Sequence, residues 1–472
     1  MVVGFGIKNT SKAVAFPPVP SACPNKWTSG ADLSGNPTCT LSDLSFNMPQ
    51  IVAIGADKKS VYSANGDQWN TITENLNTYT GLADISGNTW IITQTAKFYD
   101  ASFNNTVESF NKTEISTAIT DISGVVATNA NECYVYGGTN STDTASNSVI
   151  QKITYTGSAV TPSDTEYLYI PNGTITGTIH AVSGGKSVLE PTATGTLANN
   201  DKFVYNNTTY TITKTTSETS VISYTVTPTV ALGKNISSAI PVKTRISGTV
   251  IGLAYKPTST TDGLFLAIVR NGTIYTLYSS TYTSSASSPS SPFDVWKSRG
   301  KVPTDFTPKC ITYADNRFFM GGGNTSDNII YSTAGNMPTG DITWTPRAKK
   351  ADISGNVAGI IYTDNKRLIA ISDSTTATAA DTTIITSTNG STWTSVAKGD
   401  TFSGGRAIGF RKNTTVDKDL NVGSGFIKSV GNVKWDDAYK ISLGTSTICE
   451  QRNWANGNKN ILWDGVSNYN SC

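Results

Sequence analysis

The chain has 472 residues, 36 Lys plus Arg against 34 Asp plus Glu, and only 15% charged residues. With 9 Trp, 20 Tyr and 15 Phe, that composition excludes a charge-driven disordered chain and a long-helix or coiled-coil chain. It carries no basic stripe of the kind nucleic-acid binders use, only the short clusters Lys58-Lys59 and Arg347-Ala-Lys-Lys350, and one histidine, His180.

The N-terminus, Met1-Val-Val-Gly-Phe-Gly-Ile-Lys8, has no basic region followed by an apolar stretch, so no signal peptide is expected. No apolar run approaches the roughly 20 residues of a membrane span. Residues 1–49 form a Cys/Trp segment with Cys23, Trp27 and Cys39. A repeat begins beyond it. Gln50-Ile-Val-Ala-Ile54 leads to the hairpin Ser63-Ala-Asn65-Gly66-Asp-Gln-Trp69, which returns as Ser387-Thr-Asn389-Gly390-Ser-Thr-Trp393. Asn-Gly supplies the positive φ of a tight turn, the serine bonds the turn backbone, and the Trp starts the return strand. A looser copy runs from Tyr331-Ser332 to Trp344.

Strand–turn–strand patterns recur between these hairpins. Gly81–Ile85 pairs with Trp90–Thr93, Ala118–Ile122 with Cys133–Tyr136, and Ile251–Tyr255 with Leu264–Ile268. Cys310–Tyr313 pairs with Arg317–Met320, and Ala358–Tyr362 with Arg367–Ile371. Asp-Ile-Ser-Gly is read as closing an inner strand at Asp84 and Asp121 but preceding one at Asp352. Units of about 40–50 residues with four short strands are the signature of propeller blades. The expected fold is all-β: a six-bladed propeller, seven-bladed if 413–440 adds a blade, with a small all-β insertion and a Cys/Trp module formed by the two termini. Blades 1–3 are assigned to 50–162, the insertion to 163–244, and blades 4–6 to 245–413. The first blade lacks an inner strand, which Arg406-Ala-Ile-Gly-Phe410 is expected to supply from the far end of the repeat. Residues 414–472 form the C-terminal Cys/Trp segment.

The Ser-x-Asn-Gly-x-x-Trp hairpins resemble the Asp-box turns of sialidase-like propellers, shortened and with Asn for Asp. Such boxes are structural turns and argue fold, not activity. A sialidase-like glycoside hydrolase also needs an arginine cluster and a Tyr–Glu pair. Arg317 and Arg367 share one blade position, which repeat identity explains. No phosphate-binding loop, nucleophile elbow or His-Glu-x-x-His occurs. The expectation is a protein without enzymatic role, cofactor or metal.

The ends are the most distinctive part. Cys23-Pro-Asn-Lys-Trp27 and Cys39 at one end face Cys449-Glu-Gln-Arg-Asn-Trp454, Trp463-Asp464-Gly-Val-Ser-Asn468 and Cys472 at the other. These segments resemble virion proteins of large icosahedral DNA viruses, of the phycodnavirus and mimivirus kind. The resemblance implies a minor capsid or vertex-associated protein, assembled in the host cytoplasm and resident in the virion, with other capsid proteins as partners and no nucleic acid. Trp27, Trp454, Trp463 and Asp464 are the anchoring candidates, since large aromatics supply buried area and Asp-Gly a turn. Cys23, Cys39, Cys449 and Cys472 are the disulfide candidates. The alternative is a carbohydrate- or receptor-binding propeller on a virus or phage particle, for which glycans are the partners and exposed Trp90 or Trp296 the marker.

Overall fold

The computed structural model describes residues 51–411, with breaks at 57–58, 64–65, 77, 87–88, 105–108, 130, 141–145, 183–185, 195–196, 207, 217–221, 230–233, 260–261, 284–295, 333–339, 350–351 and 365, and the short strands Asp419–Asn421, Lys440–Leu443 and Ser446–Glu450. Among these residues the regular structure is all β. Six four-stranded antiparallel sheets form a six-bladed propeller, and a closed six-stranded barrel is inserted into it.

Blade 1 comprises Ile51–Ile54, Val61–Ser63 and Asn70–Thr71, with Ala407–Phe410 as its inner strand. Blades 2 and 3 follow with inner strands Tyr79–Ser86 and Asp121–Asn129, and blades 4, 5 and 6 with Thr249–Pro257, Thr307–Ala314 and Val357–Tyr362. The ring closes as the sequence predicts. Ala407–Phe410 runs antiparallel to Ile51–Ile54, with Ile51 opposite Phe410 and Ile54 opposite Ala407. This ladder joins the two ends of the repeat and leaves neither edge open.

Burial follows position within a blade. Ile51–Ile54 and Leu368–Ser372 are buried along their full length, whereas Asn70–Thr71 is exposed and Thr394–Lys398 mostly so. A strand covered on both faces by neighbouring blades reads as a continuous apolar run rather than an alternation. The core is therefore split by interface. Val52, Leu82 and Trp90 fill the gap between blades 1 and 2, and Ile85, Phe98 and Val135 that between blades 2 and 3. Tyr134, Phe265 and Tyr282 join blades 3 and 4, and Leu266, Phe318 and Met320 join blades 4 and 5. Phe319, Val357 and Leu368 join blades 5 and 6, and Ile51, Ile369 and Ile408 close blade 6 onto blade 1.

Blade 3 corrects one expectation. Asp121 opens its inner strand rather than closing it, and the strand continues to Asn129, beyond the predicted Ala118–Ile122. The residues that pair with Val135 and Tyr134 are Val125 and Val126, not those of the matching pattern Ala118–Ile122. The ladder slips between Ile122 and Gly124, as it does between Tyr79 and Gly81, Val250 and Gly252, Pro308 and Cys310, and Val357 and Gly359. One extra residue thus enters each of these inner strands just before a small residue, bending the strand at the ring's crowded centre.

The insertion is a barrel of Tyr169–Val182, Lys186–Thr194, Ile222–Thr227, Thr208–Thr216, Lys202–Tyr205 and Lys234–Arg245, in that spatial order. It has its own core, including Ile175, Ile179, Phe203, Ile212 and Val242, with Phe203 stacked on Tyr210 at 5.2 Å. The strand before it, Val160–Tyr167, is the outer strand of blade 3.

Candidate functional site

The inner strands of all six blades line a central cavity of about 600 Å³. They run in one direction, so the cavity has two mouths of different chemistry. The mouth at the strand starts carries Thr80, Ser123, Lys309, Ala358 and Arg406. Four of these are bulge residues, and Arg406 holds the equivalent place in the closing strand. Lys309 donates to Asp373 at 2.6 Å, and Arg406 is exposed.

The mouth at the strand ends is aromatic. Tyr255, Tyr313, Tyr362 and Phe410 close the inner strands of blades 4, 5, 6 and 1, and all four line the cavity. Blade 2 places Asp84 at this position. Asp315, Asp364 and Lys366 complete the rim. Asp315 (φ 44°) and Asn316 (φ 58°) form the tight turn that joins Ala314 to Arg317. Burial, then the charges of Glu132, Tyr282 and Asp262, pushes the Tyr255 phenol up to about 12. Burial, then the Asp315 carboxylate, raises both Tyr313 and Tyr362. On the wall between the mouths, burial pushes the Cys310 thiol up to about 12. At neutral pH it is therefore a protonated, unreactive thiol.

The features required by a sialidase-like reading do not meet here. Arg406 is the one arginine along the described cavity lining. A Tyr–Glu pair does exist, with Tyr282 donating to Glu132 at 3.0 Å, but it lies between blades 3 and 4. There Lys152 holds Glu132 at 2.6 Å and donates to the Tyr282 hydroxyl at 3.0 Å. Burial pulls the Lys152 ammonium down, but its bonds to Glu132 and Tyr282 outweigh that and hold it above its usual value. Arg367 bonds Thr386 at 2.6 Å and Asp67 of the blade 1 turn at 2.5 Å, so it ties blade 6 to blade 1. Among the described residues, no group of three or more His, Cys, Asp or Glu could hold a metal ion, and no helix is long and apolar enough to cross a membrane.

The repeat hairpins are built as their residues predict. Ser63 Oγ accepts from the Gly66 amide at 2.8 Å, and Ser387 Oγ from the Gly390 amide at 2.9 Å. Asn389 Oδ1 accepts from the amides of Ser391 and Thr392. Gly66 and Gly390 have φ of +85° and +68°, and a Cβ on either would stand 2.7 Å from Ile369 or Phe319 of the preceding blade. Trp69, Trp344 and Trp393 each pack into the interface with the preceding blade. Trp296, two per cent exposed, does the same for blade 4, which extends the hairpin tryptophan to a blade lacking the Ser-x-Asn-Gly signature. Trp90 is fully buried. The two tryptophans expected to mark a glycan-binding face are core residues.

Asn65, Trp27, Trp454, Trp463, Asp464, Cys23, Cys39 and Cys472 lie outside the described residues. Cys449 falls on Ser446–Glu450, where its Cα pairs with Ile441. Cys133 and Cys310 are free thiols. Sequence reasoning missed the aromatic mouth. Its signal was the aromatic residue that ends four of the inner-strand patterns.

No protein-family model matches the chain, and no curated protein matches it. Solved structures are similar to it only weakly. A functionally unknown protein from Desulfotomaculum acetoxidans is 9% identical at a TM-score of 0.39, covering 78% of this chain and all of that one. Sqt1 from Chaetomium thermophilum, solved bound to the N-terminus of ribosomal protein L10, is 12% identical at 0.27, covering 68% and 89%. A luciferin-regenerating enzyme is 11% identical at 0.26, covering 69% and 88%. At these scores the likenesses carry no argument.

Proposed function

We propose that the chain is a non-catalytic particle protein, a minor capsid or vertex-associated component of a large DNA virus. Its terminal segments anchor it to other capsid proteins, and the propeller with its barrel forms the interaction surface. The observation that carries this reading is the polarity of the fold. Ile51 pairs with Phe410, so the segments before 51 and after 411 join the propeller side by side at the aromatic mouth. The barrel joins at the opposite face, between the end of Val160–Tyr167 and the start of Thr249–Pro257, through Ile246 bonding Leu168 and Gly248 bonding Ser146. A chain held by its ends thereby holds the barrel away from the anchor. A ring that is all β among the described residues, with its core divided among six blade interfaces, suits display.

The test is native alkylation of the full chain, with and without reductant, read by mass spectrometry. The expected result is that Cys23, Cys39, Cys449 and Cys472 are disulfide-linked, while buried Cys133 reacts only after unfolding. Free native alkylation of all four terminal cysteines would remove the oxidised anchor and overturn the reading.

A further inference from the structure

We propose that the aromatic mouth of the channel binds an organic cation, an ammonium or guanidinium group on an alkyl chain, between Tyr313 and Tyr362 and beside Asp315. The proposal stands whether or not the chain is a particle component.

Three observations support it. The first is placement. Tyr255, Tyr313, Tyr362 and Phe410 are register-equivalent residues of four successive blades, since each pairs with a residue at or near the start of its second strand: Phe265, Phe318, Leu368 and Ile51. They form a crescent around one end of the cavity. Asp84 faces it from blade 2, on the other side of a six-fold ring from Tyr313.

The second is charge. The Asp315 carboxylate lies close enough to both Tyr313 and Tyr362 to raise both phenols, after burial. It is exposed, and so available to a ligand. Aromatic faces and a nearby carboxylate both attract a cation, and the attraction grows as the site dries.

The third is an internal precedent. The Lys256 ammonium already stands 5.6 Å from the Tyr313 ring centroid, within cation–π range. One alkylammonium of this chain therefore already uses the Tyr313 ring, and an incoming cation competes with it there and is left the Tyr362 ring. A neutral sugar is the poorer fit. It needs free hydrogen-bonding groups around its ring, and the Tyr255 hydroxyl is committed to the Asp262 carbonyl and the Tyr313 hydroxyl to Asn316 Oδ1. Lys366 at the rim repels a cation and sets a limit on affinity.

The same chemistry can come from a free polyamine or from a Lys or Arg side chain of a partner protein. Calorimetric titration of the full chain with spermidine, with a neutral-capped Lys-Gly repeat peptide and with galactose separates these. The expected result is saturable binding of spermidine, the peptide or both, weakened by added salt, with galactose inert. Binding of spermidine assigns the free amine, and binding of the peptide alone assigns a partner's tail. Tyr362→Ala should weaken binding about tenfold, while Tyr362→Phe, which keeps the ring, should stay within about twofold. Asp315→Asn, an exposed turn change that Asn tolerates at positive φ, should weaken it several-fold, and Lys366→Ala should tighten it. No saturable binding of either amine at about 10 mM, a concentration corresponding to negligible affinity, overturns the proposal. So does amine binding that is indifferent to both Tyr362→Ala and Asp315→Asn.

Discussion

The ring is interrupted twice, and the two junctions are held by different means. Between blades 3 and 4 the chain leaves for the barrel and returns. The interface there is aromatic and ionic. Tyr134, Phe265 and Tyr282 meet edge to face at 5.1–5.8 Å, and Lys152 and Glu132 are paired beside them. The second interruption lies within blade 1, whose inner strand Ala407–Phe410 follows blade 6 directly in the chain but is joined to Ile51–Ile54 without a connecting loop. That junction is aliphatic, with Ile51, Val61, Ile369, Ile371, Ile384 and Ile408 packed together and a backbone ladder across Ile51–Ile54. Both junctions carry backbone hydrogen bonds, among Ser148, Leu168 and Ile246 at the first and along Ile51–Ile54 at the second, so the difference lies in the side chains packed behind them: aromatic and ionic where the chain makes a detour, aliphatic where its two ends meet.

The largest predicted effect breaks the spliced junction. Phe265 is fully buried and touches Tyr134, Tyr255 and Tyr282 at 5.0–5.8 Å. Phe265→Ala should cost about 3–5 kcal/mol in the urea unfolding free energy. Hydrogen exchange should then rise first in blades 3 and 4, while the amides of Ile51–Ile54 stay protected. Uniform loosening of both junctions would show that the ring unfolds as one unit and that the distinction has no energetic content.

Alkaline pH should separate the junctions more gently. Lys152, Tyr134 and Tyr255 at the spliced interface all have raised pKa values, so each holds its proton more tightly folded than unfolded. Stability from such groups is complete below the unfolded pKa and is lost as pH climbs through the folded one. Tyr255, at about 12 against 10.0, gives a window of roughly pH 10–12 and about 2 kcal/mol. The urea midpoint should fall through that window, and Tyr255→Phe should flatten the fall. An unchanged slope in that variant would place the alkaline loss elsewhere.

Much of this was readable from residue types. The closing strand Arg406–Phe410, the Ser-x-Asn-Gly-x-x-Trp turns and the apolar second strands follow from local pattern, because turn chemistry and two-sided burial leave marks on short segments. The bulges did not show. A strand with one extra residue has nearly the same composition as one without. Asp121 was placed at the wrong end for another reason: Ala118–Ile122 copies the pattern of Gly81–Ile85, whereas Val125 and Val126 are the residues that pair across the blade. Trp90 and Trp296 carry no mark separating a core ring from a binding platform, since the residues that bury them lie on strands distant in sequence, Phe110 against Trp90 for one. The aromatic mouth is likewise a property of the ring. Tyr255, Tyr313 and Tyr362 are far apart in sequence and converge only when six strands share one axis.

The smallest predicted effect tests whether the seam depends on charge. Arg367 reaches from blade 6 to Asp67 in the blade 1 turn, but the Asp67 side chain is 53% exposed. Such pairs contribute about 0–1 kcal/mol and are screened by salt. Arg367 also donates to Thr386 at 2.6 Å, so its guanidinium stays positioned without the carboxylate. Asp67→Asn should therefore lower stability by less than about 1 kcal/mol, and the difference from the parent chain should shrink at about 1 M salt. Ile51–Ile54 should keep its exchange protection throughout, because the four ladder partners and the aliphatic cluster remain intact. A loss above about 2 kcal/mol, or exposure of those amides, would mean that the ring is locked electrostatically, since an exposed pair contributes that much only when the closure itself depends on it. The ladder would then align the seam without holding it, and the contrast between the two junctions would reverse.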